Sequence, residues 1–195
     1  MNDRGAILES GRLRLRRWRD ADRAPFAAIN ADPRVMTHFP ASLSRIDSDA
    51  LIERIESHFD AHGFGLWALE RQQDAALLGF VGLAVPRFEA AFTPCVEIGW
   101  RLGFEHWGYG YASEAAAVVL AHGFETLGLT EIVSFTVSAN GRSRAVMERL
   151  GMRRDPAGDF EHPALAAGHP LRAHVLYRLR RDQWRAARPA GEPGR

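Results

Sequence analysis

Residues 95–114 read CVEIGWRLGFEHWGYGYASE, an alternating segment followed directly by a loop that contains two closely spaced glycines. Apolar residues occupy the even positions from 96 to 102, whereas Glu97 and Arg101 occupy odd positions. Such alternation predicts a β-strand over residues 95–102, with the two charged side chains on one face. The Ala-rich segment 111–127, which precedes Gly128, predicts a long helix after the loop. The sequence therefore predicts a strand–loop–helix unit in the middle of the chain.

The rest of the chain contains shorter segments of the same two kinds. Residues 66–69 and 76–84 are apolar runs joined by a polar turn, so they predict a hairpin beside the central strand. Residues 132–137 are rich in β-branched side chains, which favour a strand after the long helix. The other predicted elements are strands over residues 13–16 and 174–179 and helices over residues 20–30, with Asp20 as N-cap, 47–61 and 143–150. This order predicts an α+β fold, with helices flanking a sheet.

Composition places the chain among ordinary globular proteins. Of its 195 residues, 46% are hydrophobic and 25% are charged, a balance that excludes a mainly disordered chain. We expect one domain over residues 1–184 and a flexible C-terminal tail over residues 185–195, where Ala, Gly, Pro and Arg predominate. The single cysteine, Cys95, has no internal disulfide partner and is expected to be a small core residue. No apolar run approaches the roughly 20 residues that cross a bilayer, so we expect a cytoplasmic protein without a membrane partner.

Charge and histidine spacing argue against two further classes of function. The net charge is +1, and the arginine-rich ends show neither the basic stripe nor the stacking aromatics of a nucleic-acid-binding protein, so no nucleic-acid partner is expected. His58 and His62 lie four residues apart, but the segment between them lacks the Glu of the H-E-x-x-H motif. No metal site is therefore expected.

The loop after the central strand is suited to binding phosphate. Gly108 and Gly110 allow the backbone to approach a ligand closely, and the free N–H groups at the start of a helix attract anions. This combination predicts a pyrophosphate site. A dinucleotide-dependent oxidoreductase is the less favoured alternative, because Ser113 stands where the Rossmann fingerprint has its third small residue and Glu131 precedes the next strand instead of closing it.

The same loop resembles the GCN5-related N-acetyltransferases (GNAT), in particular their RimJ/RimL-like branch. Trp107 departs from the Gln/Arg that opens the wider family's loop motif. The motifs that carry the resemblance are Glu97-Ile98-Gly99, Trp107 to Ala115, Asn30-x-Asp32-Pro33, Gly65-Leu66-Trp67-Ala68, Gly79-Phe80-Val81-Gly82 and Asn140 to Met152. They span nearly the whole chain. The resemblance implies an α/β/α sandwich with a mixed, mostly antiparallel, V-splayed sheet, and acetyl-CoA in the opening between the fourth and fifth predicted strands, residues 95–102 and 132–137.

The resemblance also implies which residues contact acetyl-CoA. Backbone groups of the central strand would pair with the pantetheine arm, backbone N–H groups of the glycine loop would hold the pyrophosphate, and an asparagine after the fifth strand would touch the cofactor. In this chain the three sets are Trp100, Arg101 and Leu102; Trp107, Gly108, Tyr109, Gly110, Tyr111 and Ala112; and Asn140. Arg142 and Arg144 lie close by, either near the phosphates or simply solvated.

Acetyl transfer by direct attack of an amine requires a base and, at the departing thiolate, an acid. Glu97 is the candidate base, and the alternative is a strand glutamate that only hydrogen-bonds a neighbouring loop. The wider family places a Tyr acid seven residues after the asparagine, where this chain has Met147. Ser143 is then the candidate acid, and a simple helix N-cap is its alternative.

These observations predict an acetyl-CoA-dependent N-acetyltransferase whose acceptor is a primary amine, either a protein N-terminus or a small molecule. The alternative is a non-catalytic acyl-CoA-binding or regulatory domain with the same fold, a possibility strengthened by Met147. A homodimer is compatible with the sequence.

Overall fold

A single sheet runs through the part of the chain that the structure describes. The structure is a computed structural model and describes residues 7–187. Its strands are β1 (Leu8–Glu9), β2 (Leu13–Arg16), β3 (Leu66–Arg71), β4 (Leu77–Ala84), β5 (Glu97–Leu102), β6 (Glu131–Val137), β7 (Arg153–Arg154), β8 (Phe160–Glu161) and β9 (Ala173–Arg180). They lie in the order β1-β2-β3-β4-β5-β6-β9-β7, and β8 also pairs with β9.

The pairing divides the sheet into two antiparallel halves. Strands β1 to β5 pair antiparallel in sequence order, and β6 pairs antiparallel with β9 over its whole length. The two halves meet at β5 and β6, which run parallel and share a single register pair, Glu97 with Val133. The α+β fold with a mixed, mostly antiparallel sheet flanked by helices is thereby confirmed, as is the hairpin of β3 and β4.

Helices cover both faces of the first half of the sheet. They are α1 (Arg23–Ala31), α2 (Arg45–His62), α3 (Tyr111–Ala121), α4 (Gly141–Arg149) and α5 (Arg181–Ala186). Ile98 and Leu102 of β5 are buried in one cluster with Ala115 and Val119 of α3. Arg101, on the opposite face of β5, hydrogen-bonds Asn30 of α1. The predicted alternation of β5 therefore directs its apolar side chains to α3 and its charged side chains to the side of α1 and α2.

The N-terminal helix does not begin as predicted. A 3-10 turn occupies Asp20–Asp22, and α1 follows it at Arg23. The carboxylate of Asp22 accepts bonds from Arg16 Nη1 and Nη2 at 2.7 and 2.9 Å, and Arg16 Nε donates to Glu70 at 2.7 Å. Asp20, the predicted cap, is exposed and caps nothing. Charge pairing inside the fold thus sets the start of this helix, because the buried guanidinium needs its carboxylates.

Other boundaries shift by a few residues for local reasons. Strand β5 begins at Glu97 instead of residue 95. The predicted helix 111–127 is α-helical only as far as Ala121 and ends in a π-helical turn, His122–Thr126. In that turn Gly123 packs so closely on β6 that a Cβ would lie 2.8 Å from Ile132 Cδ1. The helix predicted to begin at residue 143 begins at Gly141.

Two residues of the predicted C-terminal tail, Arg185 and Ala186, belong to a helix. Helix α5 continues to Ala186 and buries Trp184 against the main core. Residues 188–195, the rest of the predicted tail, lie outside the described residues. In the described range, no helix combines the length and apolar character that crossing a membrane requires.

Candidate active site

The sheet opens immediately after the pair of Glu97 and Val133. Val133 N–H donates to Val96 O at 2.9 Å, which is a parallel ladder bond. One step further along, the ladder is interrupted, because the Ser134 hydroxyl donates to Ile98 O at 2.9 Å. The buried hydroxyl therefore occupies the carbonyl that the next backbone bond would need. Beyond this point β5 and β6 diverge, and a cleft of about 1420 Å³ fills the opening.

The alternation of backbone groups along β5 decides which of them face the opening. Gly103 N–H donates to Leu78 O in the β4 ladder, and Ile98 O is turned toward β6. Since the direction of N–H and C=O alternates along a strand, Trp100 and Leu102 direct theirs into the opening, whereas Arg101 directs both of its groups to β4. The Arg101 backbone therefore does not face the opening, contrary to the expected pantetheine contact, whereas Trp100 keeps both groups open and Leu102 keeps its N–H, since Leu102 O accepts from Trp107 Nε1.

The glycine loop has the backbone conformation that the motif requires. Gly108 and Gly110 have φ of +86° and +81°, in the left-handed region that glycine adopts without strain. Gly110 is the N-cap of α3, and the N–H groups of residues 108–113 have no acceptor among the described residues. Trp107 N–H is an exception to the prediction, because it donates to Phe104 O at 3.2 Å. Of the predicted pyrophosphate donors, Gly108, Tyr109, Gly110, Tyr111 and Ala112 therefore stay open and Trp107 does not.

The loop is held in place by a contact that the sequence analysis missed. Arg12 donates from Nε and Nη2 to Glu114 Oε2, at 2.8 and 2.5 Å, and also reaches Tyr109 O at 3.1 Å. Ser10 donates to the other oxygen of Glu114 at 2.7 Å. The sequence carries no local signal for this contact, because 102 residues separate its partners.

Trp107 has a structural contact with each wall of the cleft. Its indole Nε1 donates to Leu102 O at 2.9 Å, which ties the loop to the end of β5. On the other side, the Arg142 guanidinium lies 5.0 Å from the centre of the Trp107 ring, close enough for a cation–π contact. Arg144 instead donates to Ser138 O and Tyr177, so its contacts are structural.

Glu97 lines the cleft at the point where the strands part. It is half-buried, and its carboxylate has neither a hydrogen-bond nor an ion-pair partner among residues 7–187. Burial raises the pKa of Glu97 from 4.5 to about 8. The alternative, a glutamate that hydrogen-bonds a neighbouring loop, is not what the described residues show. An unpaired carboxyl that titrates near neutral pH can accept a proton from an ammonium group.

Asn140 and Ser143 form a small hydrogen-bonded unit at the start of α4. Asn140 Oδ1 accepts from Ser143 N–H at 3.2 Å and caps the helix, so Ser143 is not the N-cap. Asn140 Nδ2 donates to Thr136 Oγ1 at 3.0 Å and to Ser143 Oγ at 3.1 Å. Since Ser143 Oγ is the acceptor in that bond, its own hydrogen is free to donate elsewhere. Both residues line the cleft.

The Asn140 amide is therefore occupied within the protein. Its backbone N–H donates to Val137 O at 2.9 Å, and both amide hydrogens have acceptors. Asn140 thus positions Ser143. Met147, which replaces the wider family's Tyr, is buried and has no proton to donate.

The other half of the cleft has aromatic and histidine walls. Phe39 and His38 come from the segment between α1 and α2, and His162 and His174 come from the C-terminal half of the sheet. Burial lowers the pKa of all three histidines, which favours their neutral forms. Among the residues that line the cleft, Glu97 is the single carboxylate.

His58 has a structural role. Its Nδ1 lies 2.9 Å from Phe64 O, and its Nε2 accepts from Val85 N–H at 3.0 Å. Both ring nitrogens are thus occupied by the backbone. Residues 7–187 hold no cluster of three or more His, Cys, Asp or Glu side chains suited to a metal ion.

Comparisons with known proteins agree with this geometry. Residues 12–153 match the family model described as Acetyltransferase (GNAT) domain. The uncharacterized protein YkkB of Bacillus subtilis (strain 168) is 30% identical over 146 residues, which cover 74% of this chain and 84% of YkkB. The FsC-acetyl coenzyme A-N(2)-transacetylase of Aspergillus fumigatus is 32% identical over 130 residues, which cover 63% of this chain and 52% of that protein.

A solved structure shows the same fold. The crystal structure of an acetyltransferase from Agrobacterium tumefaciens str. C58 superposes with a TM-score of 0.72 and 28% sequence identity. The superposition covers 89% of this chain and 94% of that one.

Proposed function

The chain belongs to the GNAT acetyltransferase family, and from that premise we propose that it transfers the acetyl group of acetyl-CoA to a primary amine. We further propose that it is a RimJ/RimL-like member, on the strength of the Glu97-Ile98-Gly99 and Trp107 to Ala115 motifs. The observation that carries the proposal is the position of Glu97. Its unpaired carboxyl lies where β5 and β6 begin to diverge, in the same cleft as the N–H groups of the glycine loop that have no acceptor.

The residues present fit acetyl-CoA. The open N–H groups of residues 108–112 at the start of α3 suit a pyrophosphate, because they add hydrogen bonds to the positive end of the helix dipole. Trp100 offers its N–H and C=O to the pantetheine amides, and Leu102 offers its N–H, because its carbonyl accepts from Trp107 Nε1. Gly99 leaves room beside the strand, since a Cβ there would meet only Glu97 Oε1, at 3.7 Å.

When bound, acetyl-CoA supplies an acetyl thioester, and the amine nitrogen forms the new C–N bond as the C–S bond breaks and the CoA thiolate leaves. Glu97 takes the proton that an ammonium acceptor must lose before it can attack. Its raised pKa makes it a stronger base than an ordinary carboxylate. Ser143 donates a hydrogen bond from its hydroxyl to the departing thiolate, which takes its proton from solvent, while Asn140 Nδ2 donates to the Ser143 oxygen and orients it.

The extent of the domain is part of the proposal. The family model ends at residue 153, but β9 pairs with β6 along seven register positions and so completes the wall of the cleft. This pairing supports a single acetyltransferase domain over residues 1–184.

The alternative of a non-catalytic acyl-CoA-binding domain rests on Met147, which removes the usual acid. Titration of the protein with acetyl-CoA, followed by an assay of CoA release with a panel of amines and N-terminal peptides, separates the two. We expect saturable acetyl-CoA binding, no NADH binding and CoA release that depends on the amine. Binding without release under every acceptor would favour the non-catalytic domain, and no binding would overturn both.

A further inference from the structure

The side chain of Arg101 lines the half of the cleft that Phe39 and His38 also line. Most of its guanidinium N–H groups have no acceptor among the described residues. Its Nη1 donates to Asn30 Oδ1 at 2.7 Å. The guanidinium carbon lies 4.1 Å from the centre of the Phe39 ring and 5.5 Å from that of Phe80. Its Nε is buried and has no hydrogen-bond partner among the described residues. A buried donor of this kind is costly unless something else satisfies it.

Among the described residues, the charge of Arg101 meets the rings of Phe39 and Phe80 and no counter-ion. In the part of the chain that the structure describes, no carboxylate lies within ion-pair distance of it, in contrast to Arg16, which has two buried carboxylate partners. Burial lowers the pKa of Arg101 to about 10, which leaves the guanidinium charged at neutral pH. The polar group that holds it is the neutral amide of Asn30, whose Nδ2 donates to Ser48 Oγ at 2.9 Å. The chain Ser48–Asn30–Arg101 therefore orients the guanidinium without neutralising it.

The strand geometry gives the approximate distance between the Glu97 carboxyl and the Arg101 guanidinium. The two residues are on the same face of β5, and the Glu97 carboxyl leans over Gly99, whose Cβ position is 3.7 Å from Oε1. Arg101 is held at its own register position, because its guanidinium stacks near Phe80, its direct partner on β4. Gly99 and Arg101 are two residue steps apart on the strand, which corresponds to about 7 Å.

We propose that Arg101 binds an anionic group of the acceptor, a carboxylate that lies about 7 Å from the amine to be acetylated. This inference rests on the proposed function, since it takes the amine to be at Glu97. A free ω-amino acid and a peptide with an acidic residue next to its N-terminus both carry an amine and a carboxylate at such a distance. The test below includes acceptors of each kind and so distinguishes them.

A purely structural role explains the arrangement less well. The rings of Phe39 and Phe80 contact the face of the guanidinium, but they leave its in-plane N–H groups without acceptors, and a buried guanidinium without a carboxylate is an expensive way to hold a loop. An anion from the acceptor would satisfy both the charge and the unused N–H groups. Glu97, the single carboxylate of the lining, is itself largely protonated at neutral pH and does not supply this anion.

The test compares acceptors that differ only in charge. The first pair is 5-aminopentanoate and its amide, and the second pair is the dipeptide amides Ala-Asp and Ala-Asn. We expect kcat/KM for the anionic member of at least one pair to exceed that of its neutral partner by about 10-fold to 100-fold, the range of a charge-assisted hydrogen bond. The pair that shows the larger ratio identifies a small amino acid or a peptide as the source of the carboxylate.

Three variants assign the ratio to the guanidinium. Arg101→Gln removes the charge and should reduce the ratio to near one, and Arg101→Lys, which keeps the charge, should retain part of it. Asn30→Asp leaves Arg101 in place but gives it an internal carboxylate, and the Ser48 hydroxyl can turn to donate to it. This variant should also reduce the ratio. Because Asn30→Asp keeps the size and contacts of the side chain, it guards against a folding defect in Arg101→Gln.

A binding measurement provides a readout that does not need turnover. Calorimetry of the free wild-type protein with 5-acetamidopentanoate, the expected product, should give an affinity about 10-fold higher than with its amide, and Asn30→Asp should abolish the difference. Equal rates and affinities for charged and neutral acceptors, in an enzyme that does release CoA, would overturn the inference and leave the acetyltransferase intact. Absence of CoA release with every amine would instead count against the proposed function.

Discussion

Glu97 illustrates how one side chain acquires its chemistry from its place in a sheet. It is the last residue of β5 that pairs with β6, so its side chain lies at the edge of the opening instead of under a continuous ladder. Burial without a counter-charge raises its pKa to about 8. The same residue on a fully paired strand with a nearby arginine would be an ordinary ionised carboxylate.

Replacing Glu97 should remove a pH-dependent step. In the wild type, kcat/KM is expected to rise with pH through an apparent pKa near 8, because only the ionised carboxylate accepts a proton. Glu97→Gln should lower kcat/KM by about 10²-fold to 10⁴-fold and abolish this limb. Glu105→Gln is the matched control, because Glu105 is exposed and does not line the cleft. A limb near pH 8 that persists in Glu97→Gln would assign the titration to another group.

The same pKa shift predicts an effect on stability. Because the folded-state pKa of Glu97 is raised above its unfolded value, the neutral carboxyl favours folding below pH 4.5, and this contribution is lost as pH rises through about 8. Glu97→Gln should therefore melt at a higher temperature than the wild type at pH 9, by a few degrees, and at nearly the same temperature at pH 4. Thermal melts at the two pH values give the sign directly.

Variants of Asn140 and Ser143 distinguish a helix-capping role from a catalytic role. Because Asn140 is the cap, Asn140→Ala should reduce the free energy of unfolding by about 1 kcal/mol, whereas Ser143→Ala should change it by less than about 0.5 kcal/mol. Both should lower kcat by about 10-fold, Ser143→Ala by loss of the hydrogen bond to the thiolate and Asn140→Ala by loss of its orientation. Urea titrations and steady-state kinetics measure the two effects. A kcat within twofold of wild type in Ser143→Ala would reject its role as donor to the thiolate.

At the scale of elements, the junction of β5, the glycine loop and α3 depends on two left-handed glycines. A side chain at φ of +86° strains the backbone even where space is free, as it is at Gly108. Gly128, which follows the π-helical turn, has φ of +69° and equally open surroundings but does not line the cleft. The backbone N–H of Gly108 is therefore available to a ligand in the cleft, whereas that of Gly128 is not.

Alanine at the two glycines should give the same loss of stability and different losses of binding. Gly108→Ala and Gly128→Ala should each cost about 1 kcal/mol of unfolding free energy. Gly108→Ala should also weaken acetyl-CoA by about 10-fold, because the strain turns the N–H groups of the loop away from the pyrophosphate. Calorimetric titration measures the affinities. Equal affinities in the two variants would show that the loop backbone does not hold the cofactor.

At the scale of the whole molecule, the N-terminal segment ties the first half of the sheet to its helices. Arg16 on β2 bridges Glu70 on β3 and Asp22 before α1, and all three are buried. Arg12 extends the same segment to the far face, where it fixes Glu114 of α3. The loop that we expect to bind the pyrophosphate is thus anchored by Ser10 and Arg12, which lie 104 and 102 positions before Glu114.

Breaking the buried network should destabilise the protein as a unit. Asp22→Asn should reduce the free energy of unfolding by about 3 kcal/mol, because it leaves the buried Arg16 charge with one carboxylate instead of two. Asp20→Asn, two residues away and fully exposed, should change it by less than about 0.5 kcal/mol. Urea denaturation of both variants tests this. Similar losses in the two would mean that the network contributes no more than a surface pair.

The strands, the glycine loop and the long helix of this protein follow from local patterns in its sequence. Alternation along β5, the two glycines before α3 and the β-branched run of β6 each act over a few residues, so their elements and the candidate residues Glu97 and Ser143 could be predicted. What the sequence could not supply was the partner of each polar group. The contacts from Arg12 to Glu114, from Arg101 to Asn30 and from Ser134 to Ile98 join residues 102, 71 and 36 positions apart.

These partners depend on tertiary packing, because strand pairing and register bring residues that are distant in sequence next to each other. Register directed the Arg101 backbone to β4 and its side chain to the cleft, which reversed the role expected for that residue. The Ser134 hydroxyl ended the parallel ladder and so opened the cleft at Glu97. A local pattern fixes which face a side chain takes, whereas the electrostatic surroundings that set its pKa and its ligand come from distant segments packed against that face.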